Sequence, residues 1–466
     1  MNQLTRKFGL FTAICMVVGT VIGSGLFFKA QNVLEATGGN MPLGIVAWLI
    51  TGGIMIVCSS QFAVMATVHE RVSGVVDYAE ATCGETYAYY LAWFMANIYY
   101  PGLAAVLSWV SARYFGVLVG FSMTGPQTMV LSAFLLILSY AINVLSPRLA
   151  GRVQVSATVI KLIPIVLMAT VGSVYGLLSG TLTENFTAVV STPVGGSVGS
   201  GLFAAIVATV FAYDGWIVAT SINAELKNPK RNLPIALLIG SVIVIVAYVL
   251  YYIGVAGGAS NETLMTEGAT VAFRNIFGAL GGTLLNICIV ISCFGTLNGV
   301  MVAATRGMYA IAVRGKGLRP ETFRQIDPET NTATNSSVWG LLIAAFWMLY
   351  FYGANLAPDG GWFGIFNFDS SELPIVTLYA FYIPMFILWM KKQRSLGAFR
   401  RFVLPSLSIL ACAFMIFAAV YAHGITPYLD AAKEGQFAFP VLFYLIVFAV
   451  VMLLGYLATL RRRNEK

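Results

Sequence analysis

The sequence predicts an all-α integral membrane protein with 12 transmembrane helices, five plus five of them in an inverted repeat and two more at the C-terminal end. Three observations carry this. The chain is 58% hydrophobic and 10% charged, with mean hydropathy +0.82, a composition that excludes most soluble classes. Its apolar residues fall into 12 runs, most of them long enough for the roughly 20 residues that one bilayer crossing needs. Between the runs lie short polar segments, seven of which hold 22 of the 27 Lys and Arg residues.

In order, the runs are Phe8–Leu34, Leu43–Val68, Tyr87–Val119, Thr128–Leu145, Val153–Leu178, Gly199–Ala224, Leu233–Gly257, Val271–Val313, Ser337–Phe351, Gly364–Met390, Phe402–Tyr421 and Phe437–Leu460. The eighth is too long for one crossing, so its end must bend or project. A helix in lipid keeps its backbone hydrogen bonds internal. Two runs offend that rule by composition: the first carries Gly19, Gly23, Ser24 and Gly25 midway, and the sixth carries Tyr213-Asp214-Gly215. They open two groups of five runs. An odd number of helices per group inverts the second group, and interruptions at matching places point to a transporter's binding site. The expected repeats are residues 8–178 and 199–392, followed by helices eleven and twelve over 398–460 and a tail at 461–466. A plainer alternative for the first run is a small-residue packing face at Gly19 and Gly23.

The basic segments follow even-numbered runs or flank the termini: Arg6 and Lys7, Arg71, Arg148 and Arg152, Lys227 to Arg231, Arg306 to Arg324, Lys391 to Arg401, and Arg461 to Lys466. Positive charge stays inside, so both termini are expected to be cytoplasmic in a multi-pass protein of the plasma membrane. The net charge of +8 is then topological and faces the lipid bilayer's anionic headgroups, not nucleic acid. No cleavable signal peptide is expected. Cys15, Cys58, Cys83, Cys288, Cys293 and Cys412 lack metal-ligand spacing, and His69 and His423 are the only histidines. Neither a metal nor a cofactor is expected, nor an enzyme. The polar loop Glu70–Thr86 is expected to form a short surface element, and the acidic loop Asn261–Gly268 either a lid or a solvated turn.

Unwinding at Gly23–Gly25 would start a second half-helix whose first N–H groups have no acceptor, a positive end suited to a carboxylate. The half-helix before the break, and Phe211, Ala212 and Tyr213 before the second break, would offer carbonyls to an ammonium group. Together they would hold a free α-amino acid by its backbone groups.

Gly23-Ser24-Gly25-Leu26-Phe27, Phe211-Ala212-Tyr213-Asp214-Gly215-Trp216 and Ser292-Cys293-Phe294-Gly295-Thr296-Leu297-Asn298-Gly299 resemble the motifs of the L-type amino acid transporter family, in the amino acid–polyamine–organocation superfamily. The resemblance covers nearly the whole chain. It implies a LeuT-like inverted-repeat fold and obligatory exchange of neutral amino acids. By the same resemblance, backbone N–H groups around Gly23, Ser24 and Gly25 bind the carboxylate. Carbonyls of Val21, Phe211, Ala212 and Asp214 bind the amine, and the Phe211 ring gates the site from outside. Lys161, a costly cation inside the fifth run, stands where sodium-coupled relatives hold an ion. It would bond the unwound first helix and the hydroxyl of Ser292 or Thr296, making transport sodium-independent. The family's animal members join a glycoprotein subunit by a disulfide from the loop between the third and fourth spans; here Gly120–Gln127 has no cysteine, so no disulfide-linked heavy subunit is expected.

Specificity is less legible. Asp214 stands where some members have a small residue and would cap the next half-helix or touch substrate. Asp369 and Glu372 lie near the outer end of the tenth run. If they line the pocket, a cationic amino acid or polyamine exchanger becomes the alternative to an antiporter of alanine, serine, threonine or cysteine. A proton-coupled permease and a membrane-bound enzyme or nutrient sensor are the remaining rivals.

Overall fold

An unpaired peptide group in hydrocarbon costs several kcal/mol, and the chain answers with helices. In the computed structural model, which describes residues 9–69, 74–120, 125–219, 226–330, 332–357 and 361–464, helices follow one another without a β-strand among the described residues. Ten are long and apolar enough to cross a membrane: Met41–Val68, Glu85–Val119, Pro126–Leu145, Arg148–Ser179, Pro229–Ala256, Ala269–Ala312, Thr334–Asn355, Leu373–Lys392, Phe399–Lys433 and Pro440–Leu460. They match the second to fifth and seventh to twelfth runs, and are called here by those numbers. The first run is a bent pair, Leu10–Val21 and Gly25–Ala36, at 50°. The sixth gives a shorter apolar helix, Val198–Tyr213, then Trp216–Ala219; the rest of that run lies outside the described residues.

Several boundaries differ from expectation for local reasons. The fifth span starts at Pro147, six residues before the apolar run, because Ser146 caps it by accepting the Leu149 N–H. Its helix is interrupted at Lys161, as Pro164 has no N–H for the Ile160 carbonyl. The eighth span bends at Gly278, whose φ of 71° no helix tolerates. The tenth begins at Leu373, not Gly364. Before it, the Asp369 carboxylate gathers the Ser371 N–H, the Ser371 hydroxyl and the Glu372 N–H at 2.6, 2.5 and 3.1 Å. That turn occupies the residues expected to be helical.

The chain forms two compact units that interleave along the sequence. The first comprises residues 1–88, 164–282 and 375–422, the second 89–163, 283–374 and 423–466. In the first unit Phe62 packs its ring against Tyr78, Trp216, Tyr382 and Phe386 at 4.9–5.7 Å between centroids. Gly172 and Gly176 of the fifth span meet Gly254 and Gly257 of the seventh, the close approach that small residues allow in lipid. Buried thiols of Cys58 and Cys412 touch at 3.7 Å. The loop after the second span contains helix Val75–Cys83, with Val75, Tyr78, Ala79 and Thr82 buried. Its residues 70–73 lie outside the described residues.

The loop Asn261–Gly268 is neither a free lid nor a solvated turn. Asn261–Glu267 is a helix, and the buried Asn261 amide donates to Gly39 O and Asn185 O at 2.7 and 2.8 Å. Gln31 adds a bond to Met265 O at 2.6 Å. In the second unit a π-turn at Met95–Tyr99 turns the Asn97 carbonyl to the indole N–H of Trp347 at 2.9 Å, while its side-chain oxygen takes Trp339 at 2.9 Å. Such a turn loosens the regular ladder and frees backbone acceptors.

Candidate substrate site at the two helix breaks

The first span leaves the helix at Ile22 (φ −65°, ψ 106°) and resumes after Ser24 (φ −66°, ψ −21°). The N–H groups of Gly25, Leu26 and Phe27 therefore have no acceptor within their helix. The sixth span ends at Asp214 (φ −67°, ψ 157°), and Gly215 turns the chain at φ 101°. The two breaks meet within the first unit. A Cβ on Gly25 would stand 2.7 Å from Ala212 Cα and 3.1 Å from Phe211 Cδ1, and one on Gly215 would stand 2.7 Å from Thr20 O. The backbone donors of the first break and the carbonyls of the second thus lie on touching segments, with Val21, Ser24, Gly25, Phe211 and Ala212 all buried.

A seventh-span side chain joins them. The Tyr248 hydroxyl, fully buried, is 3.0 Å from Val21 O and 2.9 Å from Ala212 O. Its one proton serves whichever carbonyl it points to, and each carbonyl keeps a second lone pair. Two carbonyls that the resemblance assigned to the substrate amine are already held by the protein. Beneath them Trp48, Tyr213 and Tyr248 form a ring triad at 5.0–5.7 Å between centroids, and the Tyr213 hydroxyl donates to Trp48 O at 3.0 Å.

Phe211 meets the Phe28 ring edge-on at 6.2 Å. Lys29, buried to 1% exposure, carries its ammonium 4.9 Å from the Phe28 ring centroid and 5.3 Å from that of Phe211, a cation–π geometry. Sequence reasoning missed Lys29 and Tyr248. Lys29 had a visible signal, as a basic residue within an apolar run; Tyr248 had none among 22 tyrosines.

Lys161, Ser292 and Thr296 belong to the second unit. Lys161 lies about 20 Å along its helix from Arg148 at 1.5 Å per residue and is only 4% exposed. A side chain snorkelling to the surface would be more exposed. The fifth and eighth spans touch at Ala157 and Gly295, one turn from Lys161 and between the two hydroxyl residues. Thr296 Oγ1 donates to Ser292 O at 3.0 Å, and Ser292 Oγ is buried with no hydrogen bond among the described residues.

The two acids of the tenth run are accounted for within the second unit. Asp369 is engaged by its own turn, and the Glu372 side chain, 7% exposed, meets His423 Nε2 at 2.9 Å. His423 sits in a π-turn, Tyr421–Ile425, of the eleventh span. No group of three or more His, Cys, Asp or Glu that could hold a metal occurs among the described residues.

Comparison with known proteins agrees with this architecture. The chain is 30% identical to the serine/threonine exchanger SteT of Bacillus subtilis (strain 168), over 89% of this chain and 91% of that one. It is 28% identical to the b(0,+)-type amino acid transporter 1 of Oryctolagus cuniculus, over 68% of this chain and 65% of the relative. The crystal structure of MhsT in complex with L-phenylalanine matches with a TM-score of 0.58 at 14% identity, covering 91% of this chain and 100% of that one. That match shows the LeuT fold. Residues 8–454 match the family described as amino acid permease, and the chain belongs to that family, a multi-pass membrane transporter of the amino acid–polyamine–organocation superfamily and not an enzyme.

Proposed function

We propose that the chain is a sodium-independent antiporter exchanging small neutral L-amino acids such as alanine, serine, threonine and cysteine across the plasma membrane, with both termini cytoplasmic. The observation that supports this most is the contact of the two breaks, Gly25 on Ala212 and Gly215 on Thr20. It sets N–H dipoles beside carbonyls, a match for a zwitterion. Around Gly23, Ser24 and Gly25 the backbone would take the carboxylate; the second lone pairs of Val21 O and Ala212 O, with Phe211 O and Asp214, would take the amine. Phe211 closes over the substrate. Small substrate size is supported by the similarity to a relative named as a serine/threonine exchanger. The contact of Glu372 with His423 and the engagement of Asp369 by its own turn weigh against the cationic alternative. Residues 8–178 and 199–392 serve as the two repeats in this scheme.

The test is uptake of labelled serine into proteoliposomes. Uptake should require internal amino acid and persist when sodium is replaced by choline. Equal uptake into empty vesicles removes the exchange claim, a requirement for sodium removes sodium independence, and competition by arginine or putrescine restores the cationic alternative. Lys161 would supply the charge that an ion supplies elsewhere. Accordingly Lys161→Ala should cut exchange at least tenfold with normal expression, and wild-type rates in that variant would remove the role.

A further inference from the structure

We propose that the second unit carries a separate binding site for a phosphate-bearing anion. A cavity of about 250 Å³ lies among the ends of the fourth and eighth spans and the start of the ninth, lined by Asn143, Thr305, Arg306, Tyr309, Thr332 and Ser337 among others. At roughly 30 Å³ per liquid water it exceeds the needs of a tetrahedral oxyanion. None of the residues at the two breaks lines it.

Three features give the cavity an anionic preference. Arg306 borders it, is exposed, and is engaged by no hydrogen bond or ion pair among the described residues. A guanidinium in that condition has its five donors available, in the fork that matches two phosphate oxygens. The ninth span starts at the cavity wall with Ala333 as its uncapped N-terminal residue. Its first intrahelical bond is Ser337 N–H to Ala333 O, so the preceding N–H groups and the helix dipole present positive charge. The Tyr309 hydroxyl on the cavity wall is the neutral donor; Thr305 and Ser337 spend their protons on Val302 O and Ala333 O, and Thr332 pairs with Thr330. The nearest acid in sequence, Asp327, turns its carboxylate onto Glu329 N, Thr330 N and the Thr330 hydroxyl, which leaves less of it to oppose an anion.

The walls are held. Ser336 Oγ donates to Thr305 O at 2.8 Å and accepts the Tyr309 N–H at 2.9 Å, and the Asn143 amide reaches Asn298 Oδ1 at 2.9 Å. By the charge pattern this end of the molecule faces the cytoplasm, where Arg314, Lys316, Arg319 and Arg324 follow in sequence. The same phosphate chemistry can arrive there as the headgroup of an anionic lipid of the inner leaflet or as a free phosphate compound.

The experiment reads the thermal unfolding midpoint of the purified full chain, at ionic strength matched with chloride, in two arms. One arm adds inorganic phosphate to protein in neutral detergent. The other compares nanodiscs of phosphatidylcholine alone with nanodiscs containing phosphatidylglycerol. A rise of about 2–4 °C in at least one arm is expected for the wild type. It should vanish in Arg306→Gln and shrink in Tyr309→Phe, yet remain in Arg314→Gln, whose guanidinium already bonds Ala310 O outside the cavity. A rise in the phosphate arm assigns the site to free phosphate, and a rise in the nanodisc arm alone assigns it to lipid. No rise in either arm, or an equal rise in Arg306→Gln, overturns the proposal. If Arg306→Gln does not fold, an undiminished response in Tyr309→Phe and Thr332→Val together overturns it.

Discussion

In the first span the chain leaves its helix at Ile22 and returns through Ser24 with φ near −65° at both, angles open to any residue. In the sixth span it turns through Gly215 at φ 101°, which is essentially closed to residues with a Cβ. Both breaks contain glycine, yet glycine serves a different need in each. At Gly25 the need is space, because Ala212 Cα occupies the place of a side chain. At Gly215 space and backbone angle are needed together, with Thr20 O filling the same role as Ala212. The sixth break is thus the less replaceable of the two.

That ranking can be broken by paired alanine substitutions. Gly215→Ala should be the more damaging. It adds strain of about 1–3 kcal/mol to a backbone collision, and serine exchange should fall below detection with a lowered unfolding midpoint. Gly25→Ala keeps a permitted backbone angle. Its methyl group presses on Ala212 and on the Phe211 ring, so exchange should survive at saturating substrate with apparent affinity lowered about tenfold, or ~1.4 kcal/mol. Greater damage from Gly25→Ala than from Gly215→Ala, in both flux and midpoint, would reverse the comparison.

Tyr248 sharpens it from a third side, since one hydroxyl serves a carbonyl from each break. Tyr248→Phe keeps the ring and its packing against Trp48 and Tyr213 but leaves Val21 O and Ala212 O without that donor. A buried acceptor deprived of its partner costs about 1–3 kcal/mol. Exchange in proteoliposomes should fall roughly 5- to 100-fold, with the protein still folded and membrane-inserted. Wild-type exchange in Tyr248→Phe would mean the two breaks hold their positions without the hydroxyl.

These residues also mark where the sequence was informative. Both interruptions were legible because glycine, and an aspartate beside glycine, are conspicuous within apolar runs. Their contact was expected only through the repeat, and Gly25 on Ala212 is a tertiary fact. Tyr248 could not be singled out, because its neighbours in Leu233–Gly257 are as apolar as itself and its register depends on how the seventh span packs. Glu372 and His423 are 51 residues apart, one just before the tenth span and the other in the eleventh, so nothing local joins them. The tenth span was placed nine residues early because Asn367 to Ser371 folds around Asp369, a preference of side chain for local backbone that hydropathy does not register.

The smallest expected effect concerns Lys29, just beyond the first break. Lys29 is buried over the faces of Phe28 and Phe211, where a cation–π contact is worth about 0.5–2 kcal/mol. Lys29→Met retains much of the side-chain length and apolar contact while removing the charge. The Phe211 ring would then close over the substrate with less to hold it, and the apparent affinity for serine in counterflow should fall about two- to thirtyfold. Maximal flux should change less, because the donors and acceptors at the breaks are untouched. Lys29→Arg keeps a cation over both rings and should stay nearer the wild type. A loss of affinity in Lys29→Arg as large as in Lys29→Met would show that shape, and not charge, is what Lys29 contributes to the proposed Phe211 gate.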